Sequence, residues 1–157
     1  MPAKRSPKLR KPTHADADLA LKLYDLRREA EMRKARNFMI LDFSPQSAQD
    51  VVSVINAFGS QENAWFRQWN GYWEMAGTLV TRDLLHPDIF YASSGEPYLV
   101  FAKLEPFIAE VRRAIEAPGF LAELEKAVKS TQPGRDRLAL MHKRLSQRRA
   151  AAAKKSA

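Results

Sequence analysis

Apolar residues recur along this chain every three or four positions, and almost nowhere in strict alternation. Leu19, Leu23, Leu26 and Ala30 stand at i, i+4, i+7 and i+11, the spacing of one helical seam. Thr13 is placed to cap that helix, with Asp16 and Asp18 in a first turn where acids suit the helix dipole. A charged stretch from Arg27 to Arg36 follows, laced with ion-pair partners, with a break expected near Ala30. From Phe38 to Phe43 the pattern turns apolar on nearly every side, as at a helix end enclosed by neighbours. Ser44-Pro45 reads as a restart, a cap followed by proline at the first helical position. Val51, Ile55 and Phe58 supply the next apolar face. Gly59 stops that helix and Ser60 caps its successor.

His86-Pro87 opens a short helix ending near Ser94-Gly95, with His86 as a capping or turn residue. Glu96 to Ala117 is helical by pattern, but Pro106 removes a backbone bond and clashes with the preceding turn, so it kinks or splits the segment. Pro118-Gly119 punctuates the chain, Phe120 to Val128 forms another short helix, and Pro133 opens a last one carrying Leu138, Met141 and Leu145. No hairpin turn flanked by alternating apolar residues occurs. The fold class is therefore all-α, an irregular bundle of about seven or eight helices joined by short turns.

Residues 61–82 hold all three tryptophans. Wound at about 100° per residue, Trp65, Phe66, Trp69, Tyr72 and Trp73 share one half of the helix, which marks it as the centre of the core. Asn63, Arg67, Asn70, Glu74 and Thr81 form a narrow polar line opposite. Two readings of that line stay open: a solvated stripe, or a groove in which Arg67, Asn70 and Glu74 hold a polar ligand between tryptophan walls. Glu62 falls on the aromatic side. Either it serves the dipole in the first turn, or it is a partly buried carboxylate with a raised pKa. Gly71 and Gly77 each weaken a helix interior by about 1 kcal/mol against Ala, which suggests close helix approach, a local bend or a ligand against the backbone. Asp42, between Leu41 and Phe43, reads as a buried ion-pair partner of Arg36 or Arg67, with exposure or a functional acid as the alternatives.

Charge changes this picture of a self-contained bundle. The 157 residues carry a net charge of +8, but the excess sits at the ends. Residues 1–12 hold Lys4, Arg5, Lys8, Arg10 and Lys11 with three prolines and no acid. Such a segment cannot bury enough apolar surface to offset its ordering entropy, so a flexible basic arm is expected there. The last stretch holds Lys143, Arg144, Arg148, Arg149, Lys154 and Lys155, again without an acid. Residues 147–157 are expected to be an Ala-rich tail that frays rather than docks. All 18 acids lie in 13–142, so the body, expected as one domain over 13–146, is mildly acidic.

The chain has no Cys, which removes disulfides, zinc-thiolate sites, iron–sulfur clusters and thiol nucleophiles, and suits a reducing compartment. His14, His86 and His142 stand far apart without helical metal-ligand spacing, so no metal is expected. No phosphate-cradling glycine loop and no nucleophile elbow occurs, and no cofactor is implied. No uncharged run approaches the roughly 20 residues of a membrane span.

The strings Leu23–Asn37, Ala57–Arg67 and Ser93–Pro106 resemble a group of small, uncharacterised bacterial helical proteins without an assigned function. The resemblance spans about 14–145 and implies a compact helical body in a bacterial, cytoplasmic setting.

Two functional classes follow. In the first, the chain is a non-enzymatic interaction module whose basic ends contact polyanions, nucleic acid or an acidic protein, without sequence specificity. Lys4, Arg5, Lys8, Arg10, Lys11, Arg148, Arg149, Lys154 and Lys155 are the contacts. In the second, Asp42, Glu62, Arg67, Asn70 and Glu74 converge on a small-molecule site or active site beside the tryptophan-rich helix. Contact with an anionic membrane surface through the same arms is weaker, because the arms lack anchoring apolar residues.

Overall fold

The computed structural model describes residues 9–155. They form α1 (His14–Leu26), α2 (Ala30–Asn37), a π-helical turn (Phe38–Asp42), α3 (Ala48–Asn56), α4 (Gln61–Thr81) and α5 (Pro87–Ser93). Then come α6 (Glu96–Leu104), a 3-10 turn (Glu105–Phe107), α7 (Ile108–Ala114), α8 (Ala122–Val128) and α9 (Gln132–Lys155). No strand occurs among the described residues, and the fold is an all-α bundle.

The expected breaks are realised. Arg27–Glu29 separate α1 from α2, where Glu29 accepts the Met32 amide at 2.9 Å as an N-cap. Pro106 splits its segment at the 3-10 turn between α6 and α7. Thr13 and Asp16 form a reciprocal capping box on α1. Ser60 caps α4 after Gly59, whose φ of +86° lies in the region glycine tolerates without strain. The restart after the π-helical turn comes later than Ser44-Pro45 suggests. Ser47 and Asp50 form the capping box, and α3 begins at Ala48.

α4 is the axis of the molecule, packing on α8, α2, α3 and the π-helical turn. Phe66, Trp69 and Trp73 are almost wholly buried. Rings continue outward from them. Phe43 meets Phe66 edge-on at 5.5 Å, Trp73 meets Phe90 edge-on at 6.2 Å, and Phe90 reaches Tyr98 at 6.3 Å. The two central indoles both donate to one carboxylate: Glu96 Oε1 accepts from Trp69 Nε1 at 2.7 Å and from Trp73 Nε1 at 3.3 Å. Glu96 Oε2 takes Arg36 Nε at 2.6 Å, so this buried carboxylate is fully partnered.

Gly77 is the close-approach glycine. A β-carbon there would stand 2.7 Å from the Glu123 carbonyl carbon and the Leu124 nitrogen, so α8 seats directly on the α4 backbone. Nothing in the structure explains Gly71, whose missing β-carbon faces open space.

Several apolar expectations fail at helix ends. Leu26, the last residue of α1, is exposed, and so is Phe58, which lies beyond the end of α3. Leu41 is 71% exposed, so the π-helical turn is not enclosed on all sides. Arg36 is committed to Glu96, and Asp42 is solvent-exposed without an ion pair among the described residues, which corrects the buried-pair reading.

Single residues outside the expected limits of 13–146 contact the body. Arg10 is docked rather than flexible. Its guanidinium holds Asp16 through two bonds of 2.6 and 2.7 Å and Asp83 Oδ1 at 2.9 Å, and its carbonyl lies 2.6 Å from His86 Nε2. At the other end α9 runs unbroken to Lys155, and Arg149 donates to the Pro45 carbonyl at 3.2 Å. The packed seam of Leu138, Met141 and Leu145 ends at Leu145: every residue from Ser146 to Lys155 is exposed, and Ala152 lies beside Leu145 along one cleft.

Candidate functional site

Of the polar line of α4 only Arg67 is exposed; Asn63 and Asn70 are buried, and Glu74 and Thr81 are half-buried. Asn63 is completely buried, and its amide donates to the Val54 and Ile55 carbonyls at 2.9 and 2.8 Å. These are orphan acceptors at the C-terminus of α3. Arg67 Nε donates to Asn63 Oδ1 at 3.1 Å, fixing the amide's orientation. Glu74 accepts the Glu123 and Leu124 amides at 3.0 and 2.9 Å, and so caps α8, whose own lead residue Leu121 sits at φ +53° and provides no side-chain cap. Thr81 completes the seam by donating to Glu123. Asn70 is buried, yet neither of its side-chain polar atoms has a partner among the described residues.

The second constellation therefore does not assemble. Asp42 and Glu62 are exposed, while Arg67, Asn70 and Glu74 serve or line helix junctions. Glu62 keeps only its first-turn place on the dipole. His86 is the cap the sequence suggests. Nδ1 accepts the Asp88 amide at 3.1 Å, which leaves the ring proton on Nε2 for the Arg10 carbonyl.

The first constellation fares differently along its length. Lys4, Arg5 and Lys8 lie outside the described residues. Arg10 is withdrawn as a polyanion contact, because Asp16, Asp83 and the Lys11 carbonyl already occupy its nitrogens. Lys11 stays exposed. From Arg137 onward α9 carries seven Lys and Arg residues and no acid. No ion pair among the described residues involves Lys143, Arg144, Arg148, Arg149, Lys154 or Lys155.

Arg148 and Arg149 flank a cleft of about 220 Å³ between α9 and the π-helical turn. Leu145 and Ala152 form its α9 side, Ile40 and Leu41 the opposite wall, and Ser44 and Gln46 its polar edge. Lys103 lies at the back, 5% exposed. Its ammonium donates to the Met39, Ile40 and Phe43 carbonyls at 2.9, 2.8 and 2.9 Å. All three N–H bonds thus close the end of the π-helical turn, and what Lys103 offers the cleft is charge. Burial first and the Arg148 charge second push its pKa down to about 8, against the opposing charge of Asp42. Sequence reading missed Lys103, although one signal was present: a lone cation inside the apolar run from Leu99 to Leu104. It missed Ser44 and Gln46 as well, which carry no signal apart from the turn they occupy.

Fold and site together define a small all-α domain with a self-capping aromatic core and one cationic cleft at its last helix. The family model for a domain of unknown function, DUF4760, matches residues 12–131, and the chain belongs to that family. The match stops one residue before α9, so the arginines of the cleft lie beyond it while Lys103 lies within it. No curated protein and no solved structure matches the chain. Among the described residues no helix is long and apolar enough to cross a membrane, and no group of three or more His, Asp or Glu residues is arranged to hold a metal ion.

Proposed function

We propose that the chain is a non-enzymatic helical interaction module that contacts polyanions through its basic C-terminal helix, without sequence specificity. The observation that carries this reading is the run of cations on α9 after Asp136, the last acid in the chain, none of which forms an ion pair among the described residues. A helix with seven cations and no acid over its last five turns attracts phosphate backbones by counterion release. Several acids of the body, by contrast, are engaged in caps and ion pairs: Asp16, Asp50, Glu74, Glu96, Glu105 and Glu125 all hold structural partners. Nucleic acid is the favoured partner, and an acidic protein surface is the other outcome of the test. A bacterial cytoplasm is the setting we infer, in keeping with the absence of cysteine.

The test is fluorescence anisotropy with a 5′-hydroxyl duplex DNA at several salt concentrations. If about six phosphates are neutralised, log K falls with log salt at a slope near −5. The combined variant Lys143→Ser, Arg144→Ser, Lys154→Ser, Lys155→Ser flattens the slope and weakens binding. No binding at low salt, or equal binding by the variant, overturns the reading for nucleic acid. Binding of an acidic protein alone, with the same salt dependence, moves it to the other partner.

A further inference from the structure

We infer that the cleft between α9 and the π-helical turn is a seat for a single phosphate monoester group, with Arg148 as its principal ligand. A diffuse cationic helix needs no cavity, so this goes further than the polyanion reading. It rests on that reading only for the choice of phosphate as the anion.

The argument begins with the lining. Arg148 and Arg149 enter from α9, Lys103 stands behind them, and no acid lines the cleft. Arg149 gives one bond to the Pro45 carbonyl at 3.2 Å and keeps its remaining donors. Arg148 makes no ion pair among the described residues, so its planar fork is available to two oxygens of one phosphate. Gln46 adds a neutral polar group at the edge, where its amide already donates to the Ser44 carbonyl at 3.0 Å.

The carbonyls of Met39, Ile40 and Phe43 would repel an anion entering from the α9 side. Lys103 takes all three, so the back of the cleft presents positive charge instead of carbonyl lone pairs. Lys103 and Arg148 repel one another across the cleft: burial first and the Arg148 charge second lower the Lys103 pKa. A phosphate between them relieves that repulsion.

Size and wall chemistry narrow the ligand. A volume of about 220 Å³ corresponds to roughly seven waters, enough for a phosphate and the start of its stem. Ile40, Leu41 and Leu145 give the stem an apolar wall, and Leu41 is exposed at its lip. The chemistry is that of a phosphate ester with an apolar or planar stem. Its source is either a small free phosphate ester or the terminal 5′-phosphate of an oligonucleotide.

The experiment follows thermal unfolding of the full chain with inorganic phosphate and with phenyl phosphate, at constant ionic strength set by chloride. Saturable stabilisation is expected, about 5 to 10 °C at a hundred times the dissociation constant, with phenyl phosphate the tighter ligand. Arg148→Ser, at an exposed position, lowers affinity at least tenfold, while Lys154→Ser leaves it unchanged. A second arm compares 5′-phosphorylated with 5′-hydroxyl single strands. A preference for the phosphate end that disappears in Arg148→Ser assigns the site to nucleic-acid ends. Saturable binding of phenyl phosphate without that preference assigns it to small esters. A non-saturable shift, or one equal in wild type and Arg148→Ser, overturns the proposal. Because 5′-hydroxyl duplex binding tests the polyanion reading separately, the two can fail independently.

Discussion

The carboxylate of Glu74 accepts the backbone N–H of Leu124 at 2.9 Å, one turn before Gly77 brings the same peptide of α8 against α4. The cap and the gap belong to one device. Short helices leave four amides and four carbonyls unpaired at each pair of ends, and this bundle has many such ends. Partners come from other elements: Asn63 for α3, Glu74 for α8, Lys103 for the π-helical turn, and Tyr72, whose hydroxyl donates to the Leu23 carbonyl at 2.6 Å near the end of α1. Polar side chains inside the fold thus tie its helices to one another.

Glu74→Ala removes a charge-assisted cap from both the Glu123 and the Leu124 amides. A loss of about 2 kcal/mol is expected, with Glu74→Gln retaining part of it. Gly77→Ala forces a methyl into backbone that cannot rotate away, and about 3 kcal/mol is lost through the shift of α8. Urea denaturation of the three variants measures both effects. An unchanged midpoint for Gly77→Ala would mean that the α4–α8 contact is looser than described.

The narrow polar line of α4 was legible in the sequence, but its purpose was not. Period alone places Asn63, Arg67, Asn70 and Glu74 on one face without saying whether that face meets water or the end of another helix. The answer depends on where α3 and α8 stop, and stop signals are local. The Arg10 clasp hides for a related reason: its partners Asp83 and His86 lie more than seventy residues away, while the surrounding prolines give a disorder signature. Capping at Thr13, Ser60 and His86, the break at Pro106 and the tryptophan core needed only near neighbours, and those were legible.

Asn70 and Asn63 share the α4 line and predict opposite outcomes. The Asn70 amide is buried and has no partner among the described residues, so Asn70→Leu, close in volume, is expected to stabilise the fold by about 1 kcal/mol. The Asn63 amide serves two carbonyls and orients Arg67, so Asn63→Leu is expected to cost about 2 kcal/mol or more. Thermal midpoints of the pair decide it. Equal destabilisation by both would show that Asn70 also holds a partner.

Asp16 makes the Arg10 clasp sensitive to acid. The Arg10 guanidinium holds its carboxyl well below the usual carboxylate range, against the opposing effect of burial, and Thr13 and the His86 amide add to the lowering. A depressed carboxylate pKa stabilises the fold above the unfolded value, near 4, and that stabilisation is lost as pH falls toward the folded value. Asp16→Asn should therefore melt below the wild type at pH 7, and the gap should narrow steadily below about pH 4. A gap independent of pH would mean that packing, not charge, accounts for the loss.

Lys103 gives the opposite sign at the alkaline end. Its pKa falls from 10.5 to about 8, through burial first and the Arg148 charge second. Between those values the unfolded chain holds a proton that the folded chain has released, so stability rises with pH, by about 3 kcal/mol across the interval. Tyr72 and Tyr98, which burial pushes up to about 12, act with the opposite sign once pH passes the unfolded tyrosine value near 10, so the rise is read between about pH 8 and 9.5. Lys103→Met abolishes the rise but leaves the Met39, Ile40 and Phe43 carbonyls without their donor, so it is less stable than the wild type at every pH. Arg148→Ser is the more informative variant. It keeps the three carbonyl bonds and removes the neighbouring charge, so the Lys103 titration followed by NMR at the ε-carbon should move upward from 8. An unmoved midpoint would show that burial alone sets it, and that Arg148 stands too far from Lys103 for the two to act on one ligand.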